Sequence, residues 1–176
     1  MPLAYVFWHR PARDVAAGVH EERLRAFHAA LGVAGSVTLR LRAAPWPGDA
    51  PAGPLYEDWY PVDAWAGLGE LAERAVSGPR QAPHDAAASG TGDGAAGVYG
   101  LRRAGVEPAA AGWAGWLAKP AGMAYAPFFA ALEEAAPEAA IWQRQLVLGP
   151  TPEFCVLAPA APSLPWPARA TGPRAL

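Results

Sequence analysis

The segment from Pro54 to Gly78 constrains this chain more than any other: it reads as an aromatic strand running directly into a helix. Leu55 to Tyr60 carries Tyr56, Trp59 and Tyr60, side chains that suit a half-buried pleated surface. Asp63 is placed to cap the following helix, in which Trp65, Leu68, Leu71 or Ala72, and Ala75 or Val76 recur at helical spacing. Gly78 and Pro79 supply its stop. Other strands are then expected to pair beside this unit.

Elements of both kinds flank it. Ala4 to Arg10 reads as a first strand, with Tyr5, Phe7 and His9 on one face and Val6, Trp8 and Arg10 on the other. His20 to Leu31 reads as a helix closed by Gly32, and Ser36 to Ala44 as a strand alternating Val37, Leu39 and Leu41 with Thr38, Arg40 and Arg42. A Pro/Gly-rich connection from Pro45 to Gly53 follows, and Gly78 to Gly97 reads as a long loop that is functional or mobile. Strands are expected at Val98 to Arg103 and Trp113 to Lys119, a helix at Ala124 to Ala135, and strands at Ile141 to Leu148 and Phe154 to Leu157. Gly149 to Pro152 is a turn composition, and the Pro-rich tail from 159 to 176 reads as extended, draped or disordered.

A chain of 176 residues, 52% hydrophobic and 17% charged, suits one compact domain. A net charge of −2 gives no basic footprint for nucleic acid. No run approaches the ~18 apolar residues of a membrane span, and the apolar-then-charged N-terminus reverses the order of a signal peptide. Cys155 is the single cysteine, so no internal disulfide forms and a cytoplasmic setting is expected. Thirteen Arg against one Lys, with abundant Ala, Gly and Pro, match a codon bias and lower the information in the Ala-rich connectors.

The two halves echo one another. His9-Arg10-Pro11 and Ala118-Lys119-Pro120 each end a strand, and Phe27 to Leu31 matches Phe128 to Leu132 in a helix. Each helix is followed by a strand with a central Arg, Arg40 or Arg144. The order is β-α-β-β-α-β over residues 4–103 and a truncated repeat over 113–158. This pattern resembles the dimeric α/β-barrel superfamily, in which two ferredoxin-like units pack sheet against sheet. The resemblance implies an α+β fold of two ferredoxin-like units in tandem, with antiparallel sheets forming a pseudo-dimeric barrel. That superfamily includes antibiotic-biosynthesis-type monooxygenases, EthD-like proteins and haem-binding chlorite-dismutase relatives.

In such a fold helices cover one sheet face, and the other lines a cavity or an interface. Trp8, Arg40, Arg42, Trp59, Trp142 and Arg144 are the candidate ligand-binding residues there, as aromatic walls with converging cations that favour an anion. The plainer reading is that the Arg side chains are solvated and that most of the eight Trp are core. His9 and His84, with Asp58 nearby, are the candidate catalytic groups for acid–base chemistry. His20 and His28 read as exposed helix residues. No pair of ligands at metal-binding spacing appears, so no metal is assigned. The Gly90-Thr91-Gly92-Asp93-Gly94 run fails the context of a phosphate loop and reads as flexible, and Cys155 reads as an inert buried thiol.

The expectation is thus a protein binding a small organic molecule, aromatic or anionic, in an aromatic-lined cavity. It would act as an isomerase- or monooxygenase-like enzyme with no tightly bound cofactor. The alternatives are a module that forms a homodimer through its open sheet face, and a haem protein of the chlorite-dismutase type.

Overall fold

A computed structural model describes residues 1–46, 53–147 and 151–176. Most of the Pro45–Gly53 connection and the Gly149-Pro150 part of the expected turn lie outside the described residues. The chain is α+β. Its strands are β1 (Leu3–Pro11), β2 (Val37–Leu41), β3 (Leu55–Val62), β4 (Thr91–Arg103), β5 (Trp113–Leu117), β6 (Ala140–Val147), β7 (Phe154–Ala158), β8 (Arg169–Ala170) and β9 (Arg174–Ala175). Its helices are α1 (Ala17–Leu31), α2 (Trp65–Ala75), α3 (Gln81–Ser89) and α4 (Tyr125–Ala135).

All nine strands form one antiparallel sheet in the order β8-β5-β7-β6-β4-β1-β3-β2-β9. The sheet curls into a half-barrel. Trp8 on β1 meets Trp116 on β5 with ring centroids 5.3 Å apart, although β4, β6 and β7 lie between those strands in the order. The concave side is a packed core of Val6, Trp8, Leu39, Trp59, Trp116 and Trp142. Its convex side is covered in two places: by α1, α2 and α3 over β1, β3 and β4, and by α4 over β5, β6 and β7, where Phe128 and Leu132 pack on Ile141, Phe154 and Val156.

Two expectations are corrected. The segment expected to be a long loop holds a 3-10 turn at Gly78–Arg80, helix α3 and the first half of β4. Its alanines, discounted as codon bias, are strong helix formers. Its glycines make a strand because β4 runs beneath the Phe7 ring, where a Cβ on Gly94 would stand 2.6 Å from ring carbons. Asp63 does not cap α2, which begins from Ala64 without a side-chain cap bond.

The tail, expected to be extended, draped or disordered, ties the two outer edges of the sheet together. β8 pairs with β5 and β9 with β2. Between them the fully buried Thr171 donates its N–H to Ala114 O at 3.0 Å and accepts Arg42 N–H at 2.8 Å on its carbonyl. Gly172, at φ +56°, makes the bend against the Arg42 side chain. Proline spacing hides this role, since Arg169–Ala170 and Arg174–Ala175 are too short to show alternation.

Truncation after Ala168 removes the backbone bonds of Thr171 and both short pairings. At roughly 1 kcal/mol per bond it is expected to cost about 3 kcal/mol or more in urea denaturation. A tail that merely drapes would leave stability unchanged.

Candidate functional site

The pleat of β3 decides the site. In the β1–β3 register Phe7 lies opposite Asp58, Trp8 opposite Glu57 and His9 opposite Tyr56. Tyr5, Phe7, His9, Tyr56, Asp58 and Tyr60 therefore share the convex face beneath the helices. Trp8, Glu57 and Trp59 point into the concave core.

On the convex side lies a cavity of about 680 Å³, within the size range of small-molecule sites. Tyr5, Phe7, His9, Asp58 and Tyr60 form its floor, Leu24, Phe27 and Leu31 of α1 one wall, and His84, Ala87 and Ala88 of α3 another. The roof is Leu68, Leu71, Ala72 and Ala75 of α2, a helix with no buried residue of its own. Its apolar face looks into the cavity, and its tether to α1 is Arg74, which donates to the carbonyls of Leu31 and Gly32.

The polar end of the floor is a network centred on Asp58, which is 2% exposed. Oδ1 accepts the Thr38 hydroxyl at 2.6 Å, and Oδ2 accepts the Tyr60 hydroxyl at 3.2 Å. His9 Nε2 lies 3.1 Å from Oδ2, His20 Nε2 lies 3.1 Å from His9 Nδ1, and His28 Nε2 stands 3.6 Å from Oδ1. Burial alone would push the Asp58 carboxyl up, but the imidazoles of His9 and His28 outweigh it and hold the carboxyl well below its ordinary value. Burial pushes His20 down to about 4, with His9 adding to the effect. Burial, the Asp58 charge and the bond to it raise the Tyr60 phenol well above its usual range.

Tautomers follow from this. An ionised Asp58 only accepts, so His9 donates through Nε2, and when its Nδ1 carries no proton that atom accepts from His20. His20 then donates through Nε2, which leaves its Nδ1 a bare lone pair. That atom is buried and has no partner.

Of the sequence candidates, His9, Asp58 and His84 all line this cavity. Both His9 nitrogens are engaged, whereas His84, which lines the cavity, bonds through Nδ1 to Asp85 at 3.0 Å. None of the six expected ligand-binding residues lines it. Trp8 and Trp59 donate their indole N–H groups to Glu57 at 2.6 and 2.7 Å in the concave core, and Trp142 packs beside Trp59 with centroids 5.4 Å apart. Arg40 is exposed and pairs with Glu21 at 3.3 Å, Arg42 is exposed beside Gly172, and Arg144 is exposed with a bond to Thr151 O. The expected binding face is thus filled by its own tryptophans, because the sheet curls back on itself.

Sequence reading missed His20, His28 and Thr38. His20 is fully buried and His28 stacks on Tyr60 at 4.8 Å. The eight-residue spacing of the two histidines puts them on one helix face, a signal read only as failed chelation. Among the described residues no group of three His, Cys, Asp or Glu side chains converges to hold a metal. Cys155 is buried in β7, and burial raises its thiol well above the ordinary value.

The neighbouring carboxyl behaves oppositely. Burial pushes Glu57 up to about 7, against the two indole bonds that lower it.

No protein-family model matches this chain, and no curated protein shows significant similarity to it.

Glu57 and His20 pull stability in opposite directions as pH changes. Glu57, raised above its unfolded value, loses its contribution as pH climbs from 4.5 to about 7. His20, depressed to about 4, loses its contribution as pH falls from 6.5. The two nearly cancel between pH 4.5 and 6.5, so the native protein is expected to show a flat profile in urea denaturation. Glu57→Gln removes one side, and its stability should rise by about 2 kcal/mol across that window. A flat profile in the variant would mean that His20 is not depressed in the fold, and a wild-type profile that rises across the window would mean that Glu57 is not protonated there.

Proposed function

We propose that this chain binds an uncharged, ring-containing organic molecule in the cavity beneath α2 and performs acid–base chemistry on it. The observation that carries this reading is the cavity itself: apolar walls and roof around a buried carboxylate pinned by Thr38, Tyr60 and His9. Pockets of this make-up, with few polar groups at one end, are the usual form of small-molecule sites. Among the described residues no Arg or Lys lines the cavity, and Asp58 supplies negative charge, so the anionic ligand expected from the arginines gives way to a neutral one. Asp58 is the group positioned to exchange a proton with the ligand, and His84 Nε2 at the α3 wall is a second acceptor.

The strand order supports the tandem reading of the fold. Within residues 3–103 the order is β4-β1-β3-β2, with a helix after β1 and helices after β3. That is the arrangement of a ferredoxin-like unit. The strands of residues 113–158 run β5-β7-β6 with α4 after β5, the same arrangement without a fourth strand. We read the two as a duplicated unit forming a single-chain α/β barrel, for which the resemblance implies monooxygenase- or isomerase-like chemistry without a bound cofactor.

The homodimer alternative drew on an open sheet face, and that face is core in this chain, with Trp8, Trp59 and Trp116 at or below 1% exposure. Both His9 nitrogens are engaged, so a haem in the alternative reading would have to take the His84 imidazole, whose Nδ1 alone is bonded.

Nile red, a neutral fluorophore, is expected to bind with a blue-shifted emission and to be held at least about tenfold more tightly than anionic anilinonaphthalene sulfonate. Leu68→Trp, which fills the roof, should weaken Nile red at least about tenfold while leaving the circular dichroism unchanged. Equal affinity for the two dyes, or no effect of the variant, would refute the reading.

A further inference from the structure

Among the described residues two nitrogens of the Asp58 network are buried without a hydrogen-bond partner, His28 Nε2, which stands 3.6 Å from Asp58 Oδ1, and His20 Nδ1, on a residue that does not line the cavity. The neighbours of His20 Nδ1 are known from Gly90. A Cβ built there would lie 3.4 Å from His20 Nδ1, 2.9 Å from Arg23 Nη1 and 3.5 Å from Ala86 O. Arg23 is half-buried and Ala86 is exposed. Gly90 is itself buried, and Ser89 beside it is exposed, so the bare nitrogen lies under the joint of α3 and β4, close to exposed chain.

Asp58 and His9, at the other end, form part of the cavity floor. Two hydrogen bonds of 3.1 Å connect the ends, through side chains that are 2% exposed or less. A buried polar atom without a partner costs free energy and calls for a reason. We propose that Asp58, His9 and His20 form a proton wire between the cavity floor and the joint of α3 and β4 at Gly90. This inference rests on the cavity being a ligand site.

The wire is set to run inward. A proton from water bonds to His20 Nδ1. The proton on His20 Nε2 leaves for His9 Nδ1, and the proton on His9 Nε2 leaves for Asp58 Oδ2. One proton has entered, each imidazole has exchanged tautomer, and the neutralised Asp58 carboxyl faces the ligand as an acid. The same shifts in reverse carry out a proton that Asp58 has taken from the ligand. The wire thus carries protons to and from the cavity floor by a route that does not pass through the cavity mouth. Burial first, then His9, and to a smaller degree Arg23 keep a proton from resting on His20, as a relay point requires. His9 and His20 are positioning residues in this scheme, and Asp58 is the group that meets the ligand.

The test uses protein labelled with 15N-histidine, alone and loaded with Nile red. Wild type is expected to show His9 and His20 as Nε2–H tautomers. The His9 N–H should exchange with solvent at least tenfold faster than in His20→Gln, whose amide still donates to His9 Nδ1 but has no nitrogen lone pair to relay a proton. The difference should persist with the dye bound, since the wire bypasses the roof. Equal exchange in the two proteins, or a protonated Nδ1 on wild-type His20, overturns the wire. The tautomers are read without any variant. Failure of Nile red to bind sinks the cavity reading separately, because exchange is also measured on the unliganded protein.

Discussion

Two adjacent carboxylates, Glu57 and Asp58, are buried on opposite faces of one strand, and the rest of the structure is arranged around that fact. Isolated buried charges are costly, so each must be compensated or neutralised. The protein does one on each side. Asp58 keeps its charge among hydroxyls and imidazoles, and Glu57 takes up a proton among indoles as pH approaches neutrality from above. One residue of register shift would exchange these surroundings and ruin both.

The convex side stays hollow because of what covers it. Helix α1 packs fully, with Leu24, Phe27 and Leu31 against Tyr56 and Tyr60. Helix α2 does not, since it carries two glycines, Gly67 and Gly69, and lacks a side-chain cap. A weak helix with one apolar face and a single arginine tether suits a roof better than a core element. The concave side is the opposite case. Its tryptophans would be exposed if the sheet were flat, and the curl with the tail across its edges gives them one another as partners.

Much of this was legible in the residues. Alternation in β1 and β2, the helix-forming stripes of α1 and α4, and the order of elements all came from local pattern, and His9, His84 and Asp58 were found as chemistry-bearing side chains. The arginines 40, 42 and 144 and the tryptophans 8, 59 and 142 were misplaced for one reason. Alternation says which residues share a face, and it does not say which face is covered. His20 was passed over because its partner, His9, lies on a different element.

The amino-acid sequence by itself determined the elements, the alternation within each strand and the residue types able to move a proton. Tertiary structure alone decided that the Trp-rich face closes on itself, that the cavity forms under the helices, and that three histidines from two elements meet one aspartate. Local pattern is set by backbone sterics and side-chain spacing within about a dozen residues. Curl, register and the closing tail depend on contacts between residues up to more than a hundred positions apart, such as Trp8 with Trp116. No window on the sequence spans such a pair.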